Sequence, residues 1–571
     1  MAATQTVQLS SAHAAAVRAA VERLQAERYI ARLWDRDASL WATDAATQTS
    51  IRARLGWLTI AGVMSRQAEA LRGFAQEIRE AGLTRAVLLG MGGSGLFAEV
   101  CRRTFGVAAH ALDLTVLDTT DPTAIRAQRD RGPLTQLLVI VSSKSGSTSE
   151  ISALSAYFIE ALTQAGCDAG THCIAITDAG TPLEAQATTA RFRRVFAHGR
   201  GTGTEVGGRF SALTYFGLVP AALMGIDLAP LLRRAEEMLA RCGPTAPLDD
   251  NPAVQLGAVL GALSQAGRDK VALLAAPALA SFGTWVEQLI AESVGKEGRG
   301  IAPIHGEPAH EPSAYGADRV FIELQIASQF DQALDRQVHA LAEAGQPVIR
   351  IRWEDRDDLG GEAIKWFVAT TITGRLMGIN PFDEPNVQES KDRTKALLSQ
   401  YVRDGRFPDE PPLLSDGDVT CYGATTSPPP RSLSQCLAEF FHRVRPGDYV
   451  AVLSFLPRTA GLDETVQELR RTLALRLGCA SMAGFGPRYL HSTGQLYKGG
   501  PDAGLFVLLT ADEPHDLPIP GSRFTFGILK QAQALGDFQA MQQRGRRILR
   551  LHLAGDPERA AARLVATMRH A

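Results

Sequence analysis

The segment Val141-Ser-Ser-Lys-Ser-Gly-Ser-Thr-Ser-Glu150 places six hydroxyl groups and one ammonium group around a single glycine. Before it, Leu137–Val141 is continuously apolar, which predicts a buried parallel strand. Apolar residues after Glu150 recur at helical spacing, so the segment is predicted to be a strand-to-helix turn. Such a turn can hold a phosphate with hydroxyls, backbone N–H groups and a helix N-terminus. It lacks the P-loop spacing, and the alternative is an ordinary serine-rich helix cap.

Two glycine-rich motifs carry further binding chemistry. Gly90-Met-Gly-Gly-Ser94-Gly follows a predicted strand. Its spacing departs from the Gly-x-Gly-x-x-Gly fingerprint of dinucleotide-binding sites. We therefore interpret it as a turn where a ligand approaches the backbone, with Ser94 at a helix start. Gly207-Gly-Arg209-Phe-Ser precedes an apolar helix. Arg209 can clamp a substrate anion or stabilise an oxyanion, and the alternative is an arginine that only covers loop carbonyls.

Glu292 and Lys391 are candidates for proton chemistry. Glu292 ends an otherwise apolar helix in Gln288-Leu-Ile-Ala-Glu-Ser-Val-Gly-Lys296, where burial would tune a carboxylate for general base work. The alternative is a helix-end acid that pairs with Lys296. Lys391 lies in an early turn of a predicted helix, where the helix dipole does not favour a cation. One explanation is a substrate or a carboxylate partner for Lys391, and the alternative is a solvated lysine that pairs with a nearby acid such as Glu384.

Length, charge and cysteine content exclude several classes. A chain of 571 residues with 45% hydrophobic residues predicts two to four domains. Its net charge of −2 argues against nucleic acid or an anionic membrane surface as the main partner. No signal sequence or membrane-spanning run is recognised. The seven cysteines show no C-x-x-C, so neither a zinc site nor a disulfide framework is expected, and a cytoplasmic location fits.

Alternating apolar strands and helices predict an α/β fold with parallel sheets. We expect five units: an N-terminal helical segment (1–60), a first lobe (61–228), a second lobe (229–405), a proline-rich linker (406–431) and a C-terminal α/β unit (432–571). Polar or glycine-containing turns follow the strands of the first lobe. Because ligands bind beyond the carboxyl ends of such strands, these turns are expected to line one crevice.

Taken together, the motifs resemble the glucose-6-phosphate isomerase family. The resemblance is carried, in the family's order, by Gly-Gly-Ser, Ser-Lys-Ser-Gly-Ser-Thr, Gly-Gly-Arg-Phe-Ser, Gln-Leu-x-x-Glu-Ser-x-Gly-Lys and Asn-x-Phe-Asp-x-x-x-Val-x-x-x-Lys. It covers about residues 60–400. The remainder is most similar to the isomerase half of bacterial transaldolase/glucose-6-phosphate isomerase fusions, and no part of this chain matches the transaldolase half.

The resemblance implies two sugar-isomerase lobes that close over a phosphorylated hexose without metal or organic cofactor. By position, Arg209 matches the arginine that stabilises the enediol, Glu292 the proton-shuttling base, and Lys391 the lysine near the ring oxygen. The implied substrate-binding residues are Gly93, Ser94, Ser143, Lys144, Ser145, Thr148, Glu150, Gln288 and Glu384.

Two departures from the family pattern bear on these assignments. Glu384 replaces the usual glutamine, so it is expected to turn away from the phosphate or to pair with Lys391. The ring-opening histidine falls in His305-Gly-Glu-Pro-Ala-His310, where His310 is the candidate and His305 the second choice.

The resulting hypothesis is an isomerase that interconverts glucose 6-phosphate and fructose 6-phosphate. Alternatives are an isomerase that also accepts mannose 6-phosphate, an amidotransferase lobe and a non-catalytic sugar-phosphate sensor. The amidotransferase would need a glutaminase domain with an N-terminal cysteine, which Met1-Ala-Ala-Thr does not offer. Glu292, Arg209 and Lys391 at matching positions argue against a sensor. The sequence leaves the oligomeric state open, and a homodimer is one arrangement it allows.

Overall fold

The structure is a computed structural model that describes residues 3–199, 205–424 and 428–570. Residues 425–427 of the predicted linker, and residues 1, 2 and 571 of the predicted terminal units, lie outside the described residues. Three separate β-sheets with flanking helices make up the α/β fold that the sequence predicts.

The N-terminal segment differs in part from the predicted all-helical segment. It begins with a strand, which pairs antiparallel with the edge of the second sheet. Its elements are β1 (Thr4–Gln8), α1 (Ser11–Ala26), α2 (Tyr29–Trp34), α3 (Ala45–Ala53) and α4 (Ile60–Ser65).

The first lobe is built around a parallel sheet whose buried central strands are the continuously apolar runs. Its elements are α5 (Ala68–Glu80), β2 (Arg85–Leu89), α6 (Leu96–Phe105), β3 (Asp113–Leu117), α7 (Pro122–Asp130), β4 (Leu137–Ser142), α8 (Ser149–Gln164), α9 (Ala169–His172), β5 (Cys173–Asp178), α10 (Pro182–Thr189), β6 (Arg194–His198) and α11 (Tyr215–Leu223). The strand order is β3-β2-β4-β5-β6.

The second lobe repeats this arrangement with the order β8-β7-β9-β10, to which β1 is added. Its elements are α12 (Leu228–Cys242), α13 (Pro252–Gln265), β7 (Lys270–Ala275), α14 (Ala280–Val294), β8 (Ala302–His305), β9 (Arg319–Ile326), α15 (Gln332–Glu343), β10 (Val348–Trp353), α16 (Asp358–Met377) and α17 (Val387–Asp404). Helix α16 is buried and packs against α12, α13 and α14, and one hydrophobic core joins the first two lobes.

The third lobe has the order β14-β13-β15-β16, extended by two antiparallel strands. Its elements are β11 (Leu414–Asp416), β12 (Val419–Tyr422), α18 (Leu433–Phe441), β13 (Tyr449–Phe455), α19 (Ala460–Leu477), β14 (Ala480–Phe485), α20 (Gly494–Gly499), β15 (Gly504–Ala511), α21 (Phe526–Gln543), β16 (Arg547–Leu553) and α22 (Pro557–His570). Strands β11 and β12 lie within the predicted linker. Alternate residues Val419 and Cys421 are buried in the third-lobe core, which explains why this stretch is a strand.

All three lobes therefore share one strand order, in which the first parallel strand lies between the second and the third. The carboxyl ends of β2 and β4 of the first lobe carry the glycine-rich and serine-rich turns that the sequence singles out. Helix α14 of the second lobe carries Gln288 and Glu292, and the segment after β14 of the third lobe reaches the same region.

Candidate active site

A cleft of about 660 Å³ lies between the first and second lobes and is bordered by the third. It brings together residues that are far apart in the chain. The predicted site residues that line it are Gly93, Ser94, Lys144, Ser145, Thr148, Arg209, Gln288, Glu292, Glu384 and Lys391. Ser143 and Glu150 do not line the cleft itself and are buried in the serine-rich segment.

The serine-rich turn connects β4 to α8 as predicted. The hydroxyls of Ser143 and Thr148 lie 3.1 Å apart, and the Lys144 ammonium pairs with the Asp178 carboxylate. Gly146 has a φ of +65°, and a Cβ there would approach Thr181 to 2.8 Å, so glycine is required. Thr148 is the N-cap residue of α8, yet its side chain makes no capping hydrogen bond. The hydroxyls and the helix N-terminus at this turn can therefore bind an anion.

The glycine-rich turn after β2 is a meeting point of all three lobes. Gly92 has a φ of +51°, and a Cβ there would lie 2.7 Å from the His491 carbonyl oxygen and 2.8 Å from Gln288 Nε2. A Cβ on Gly93 would overlap the Gly208 carbonyl. The two glycines therefore let the wall that carries Ser94 approach the walls that carry Arg209 and His491.

Arg209 is 3% exposed and connects the first lobe to the second through its hydrogen bonds. Its Nε donates to Ser293 Oγ at 2.8 Å, and Nη2 donates to the Pro381 carbonyl at 2.6 Å. Nη1 lies 2.9 Å from Glu384 Oε2 and 3.5 Å from Glu292 Oε2. The guanidinium is thus fixed beside two carboxylates, where it can stabilise negative charge on a ligand.

Glu292 is 8% exposed and has the electrostatics of a general base. Burial raises the pKa of its carboxyl to about 7, and the neighbouring Glu384 carboxylate acts in the same direction, while Arg209 opposes both. Gln288, one helical turn earlier, has Nε2 3.5 Å from Glu292 Oε1. A carboxyl with a pKa near neutrality can both take up and return a proton.

The third lobe contributes His491, whose Nε2 lies 2.8 Å from Glu150 Oε1. Glu150 also accepts hydrogen bonds from Ser149 Oγ at 2.8 Å and from Gln533 Nε2 at 2.9 Å. Burial acts to raise the pKa of Glu150, but the charge and hydrogen bond of His491 outweigh it and hold the pKa at about 2. The carboxylate therefore fixes the position of the imidazole at the edge of the cleft.

The structure places both histidines of the predicted ring-opening segment outside the cleft. His310 does not line the cleft; its backbone N–H donates to Tyr315 Oη at 3.0 Å, and its ring lies 5.7 Å from that of Tyr315 with the two planes tilted by 57°. His305 Nε2 lies 2.6 Å from Glu287 Oε2 in a different cavity. The physical reason is topological, because β8 is the outermost strand of its sheet and the loop after it lies beside the third lobe.

Glu384 and Lys391 do not form the pair that the sequence suggests as one option. Glu384 turns to Arg209, and Arg54 lies 3.5 Å from the same carboxylate oxygen. Although burial acts to raise the pKa of Glu384, Arg209 and Arg54 hold it below its usual range. Lys391 is exposed at the cleft and makes no ion pair with any residue in the described ranges, so its ammonium is available to a ligand.

Some residues that line the cleft or contact its side chains were not predicted from the sequence. Arg54, Asp178 and Gln533 have no motif around them, and only the fold brings them to the site. His491 stands in a loop that is dense in polar residues, which is the one signal that could have selected it. That loop is held by the buried Asp537, which accepts hydrogen bonds from Tyr489 Oη and Lys498 Nζ, each at 2.7 Å.

Within the described ranges, no group of three or more His, Cys, Asp or Glu side chains is arranged to hold a metal ion. None of the helices described is long and apolar enough to cross a membrane. The absence of a cofactor from the reaction stays a prediction from the family resemblance.

Comparison with known proteins finds relatives over more than half of the chain. The chain is 32% identical over 368 residues to a "Probable glucose-6-phosphate isomerase" of Natronomonas pharaonis, which covers 58% of this chain and 81% of the relative. Among solved structures, it is similar to a hypothetical protein of Thermus thermophilus (TM-score 0.56, 23% identity, 69% of this chain and 100% of that one). It is also similar to a glucose-6-phosphate isomerase of Chlamydia trachomatis (TM-score 0.53, 20% identity, 62% and 79%). No family model matches the chain.

Proposed function

Because the chain belongs to the glucose-6-phosphate isomerase family, we propose that its cleft interconverts glucose 6-phosphate and fructose 6-phosphate. The observation that carries the proposal is the position of Glu292, a buried carboxyl with a pKa of about 7, on the cleft wall next to the Arg209 guanidinium. A base and an oxyanion stabiliser at one point are what a proton transfer next to a carbonyl requires.

Phosphate binding is assigned to the first lobe. Ser145 and Thr148 offer hydroxyls, α8 offers its N-terminus, and Lys144 adds positive charge that Asp178 holds in place. Charge-assisted hydrogen bonds to a phosphate are stronger than those between neutral groups. The phosphate end of the sugar is therefore fixed at this wall, and its C1 and C2 atoms extend toward Glu292.

Ring opening is assigned to His491 in place of His310. Its Nε2 is held by Glu150, which leaves Nδ1 for the substrate. A protonated imidazole donates a proton to the ring oxygen, and the bond between that oxygen and the anomeric carbon (C1 in glucose 6-phosphate, C2 in fructose 6-phosphate) breaks. The anomeric hydroxyl gives its proton to solvent water and becomes the carbonyl of the open-chain aldehyde or ketone. Lys391 is exposed at the same cleft. Its match to the family motif supports a role for its ammonium group near the ring oxygen.

Proton transfer between C2 and C1 is assigned to Glu292. Its ionised carboxylate removes the C2 proton of the open-chain aldose, and the electron pair moves to the C1 oxygen to form a cis-enediolate. Arg209 stabilises that oxyanion. The C2 hydroxyl proton then passes to the C1 oxygen, the C2 oxygen forms the carbonyl, and the same carboxyl returns its proton to C1, which yields the ketose.

Every residue in this scheme comes from one chain, so the proposed chemistry does not require a second copy, and a homodimer is compatible with it. We also propose a cytoplasmic location, since the seven cysteines are free thiols as in proteins of reducing compartments. The test of the function is a coupled assay for glucose 6-phosphate formed from fructose 6-phosphate by the purified chain. Turnover that is abolished by Glu292→Gln supports the proposal, and no formation of glucose 6-phosphate contradicts it.

A further inference from the structure

A second cavity, of about 630 Å³, lies between the second and third lobes and is close in volume to the cleft. It is bordered by the carboxyl ends of β7 and β8 from the second lobe and of β14 from the third. In parallel sheets, this is the end at which ligands bind. The cavity lies at the ends of the first and second parallel strands of its lobe, whereas the cleft lies at the ends of the first and third strands of the first lobe, β2 and β4.

The N-terminal turn of α14 opens into this cavity. Its N-cap residue, Leu279, has no side chain that could cap it. Ala280, Ser281 and Thr284 line the cavity, and Ser281 Oγ is a buried atom without a hydrogen-bond partner in the described part of the chain. The helix N-terminus and these two hydroxyls can donate to a bound anion.

Two arginines of the third lobe face the same space. Arg488 contacts Asp118 Oδ2 through Nε at 3.2 Å, while neither of its terminal nitrogens meets an acceptor among the described residues. Arg458 stacks on the Phe485 ring at 4.1 Å and is held by Asp463. A planar guanidinium with unused donors matches the oxygens of a phosphate.

A polar pair lies in the same cavity and suits a ligand that also carries hydroxyls. His305 Nε2 and Glu287 Oε2 are 2.6 Å apart, and the buried Arg470 holds the His305 carbonyl at 2.8 Å. Imidazole and carboxylate together provide donors and acceptors for sugar hydroxyls. The isomerase scheme uses none of these side chains.

We propose that this cavity is a second ligand site, for a phosphorylated small molecule of hexose-phosphate size. The α14 N-terminus and Arg488 bind the phosphate, and the Glu287–His305 pair binds the hydroxyls. The site is distinct from the cleft, so it does not depend on the isomerase proposal. The two cavities share a wall, because Arg488, Tyr489 and Ser492 face this one while Leu490 and His491 face the cleft.

The test measures how many molecules of glucose 6-phosphate bind to the full chain by equilibrium dialysis. The Glu292→Gln background prevents turnover. We expect two molecules per chain. Adding Arg488→Ala or Arg488→Gln should lower the affinity of the second cavity by at least about tenfold, which is the effect of a lost hydrogen bond to a charged group. Adding Ser145→Ala with Thr148→Ala should lower the affinity of the cleft instead. Arg471→Ala, an exposed arginine next to Arg470 on α19, is the matched control that keeps both.

The outcomes separate this proposal from the proposed function. One molecule per chain, bound equally well in both Arg488 variants, overturns the second site. Binding that depends on Arg488 and is indifferent to Ser145 and Thr148 supports the second site and removes the phosphate anchor from the cleft. Thermal unfolding midpoints that match the Arg471→Ala control show that the variants are folded. The glutamine variant retains polarity if the alanine variant fails to fold.

Discussion

The two main walls of the cleft are built on different physical principles. The first-lobe wall is a strand-to-helix turn with exposed hydroxyls at Ser145 and Ser147, close to a helix N-terminus that the Thr148 side chain leaves uncapped. The second-lobe wall is the buried helix α14, where desolvation moves the pKa of Glu292 to neutrality. The difference fits the proposed function, in which the first wall binds the phosphate and the second carries out the proton transfer. Binding an anion needs free donors, whereas proton transfer needs a carboxyl with a tuned pKa.

Topology alone does not create the binding wall. The second lobe has an equivalent turn after its third parallel strand, β9, but there Asp331 caps α15 by accepting hydrogen bonds from the N–H groups of Ala333 and Leu334. The N-terminus of α15, which corresponds to that of α8, is thus already capped by a side chain. One cap residue, rather than the strand order, decides which lobe can hold a phosphate at this position.

Glu292→Gln should abolish proton transfer at the second-lobe wall and leave phosphate binding at the first-lobe wall unchanged. The amide keeps the shape of the side chain but cannot accept a carbon-bound proton, so we expect kcat to fall by about 10²–10⁴-fold. Binding of a non-reactive sugar-phosphate analogue should be nearly unchanged. Glu297→Gln, an exposed glutamate just beyond α14, is the matched control. Steady-state turnover above roughly a tenth of the wild-type value would remove Glu292 from its role.

His491→Ala should distinguish the contribution of the third lobe, ring opening, from the contributions of the two cleft walls. Loss of the ring-opening acid is expected to slow turnover of cyclic glucose 6-phosphate by about 10²-fold, the lower end of the range for general acid catalysis, because some ring opening occurs without the enzyme. Proton exchange on an open-chain analogue that cannot cyclise should persist, since Glu292 is untouched.

His442→Ala, an exposed histidine of the same lobe, serves as the control for His491→Ala. Equal rates for the His491 variant and the wild type on cyclic substrate would assign ring opening to another group, with Lys391 next in line. Turnover that falls in His310→Ala instead would restore the assignment made from sequence.

Ser145→Ala with Thr148→Ala should weaken binding with little effect on the reactive wall. Each hydrogen bond to a charged phosphate contributes about 1.5–3 kcal/mol, so the affinity for a sugar-phosphate analogue should fall at least about tenfold. Inorganic phosphate should also lose its competitive effect. Ser152→Ala, exposed on the next turn of α8, controls for loss of a hydroxyl alone. An unchanged inhibition constant for phosphate would show that the anchor lies elsewhere.

The pH dependence should report the Glu292 carboxyl. Its pKa is raised to about 7 by burial, and the reaction needs the ionised form, so on the acidic side kcat/KM should rise by about tenfold per pH unit with a midpoint near pH 7. The profile of the Ser145/Thr148 double variant should keep the same midpoint. A wild-type midpoint near the ordinary glutamate value would show that desolvation does not tune this group.

Much of the fold and of both walls could be predicted from the sequence, because buried parallel strands are continuously apolar and because Glu292, Arg209 and the serine-rich turn stand in dense local motifs. Strands β8 and β14 could not, since one contains Pro303 and the other Gly484. His491 could not be chosen over His310, because its partner Glu150 is 341 residues away and only the packing of the third lobe brings them together.

The most direct test of the central claim is isomerisation in D2O, followed by NMR of the C2 position of glucose 6-phosphate and the C1 position of fructose 6-phosphate. If the Glu292 carboxyl carries the proton between these carbons, the wild-type chain should incorporate solvent deuterium at them during turnover, and Glu292→Gln should incorporate none above the uncatalysed background. Undiminished deuterium incorporation by the Glu292→Gln variant would contradict the account.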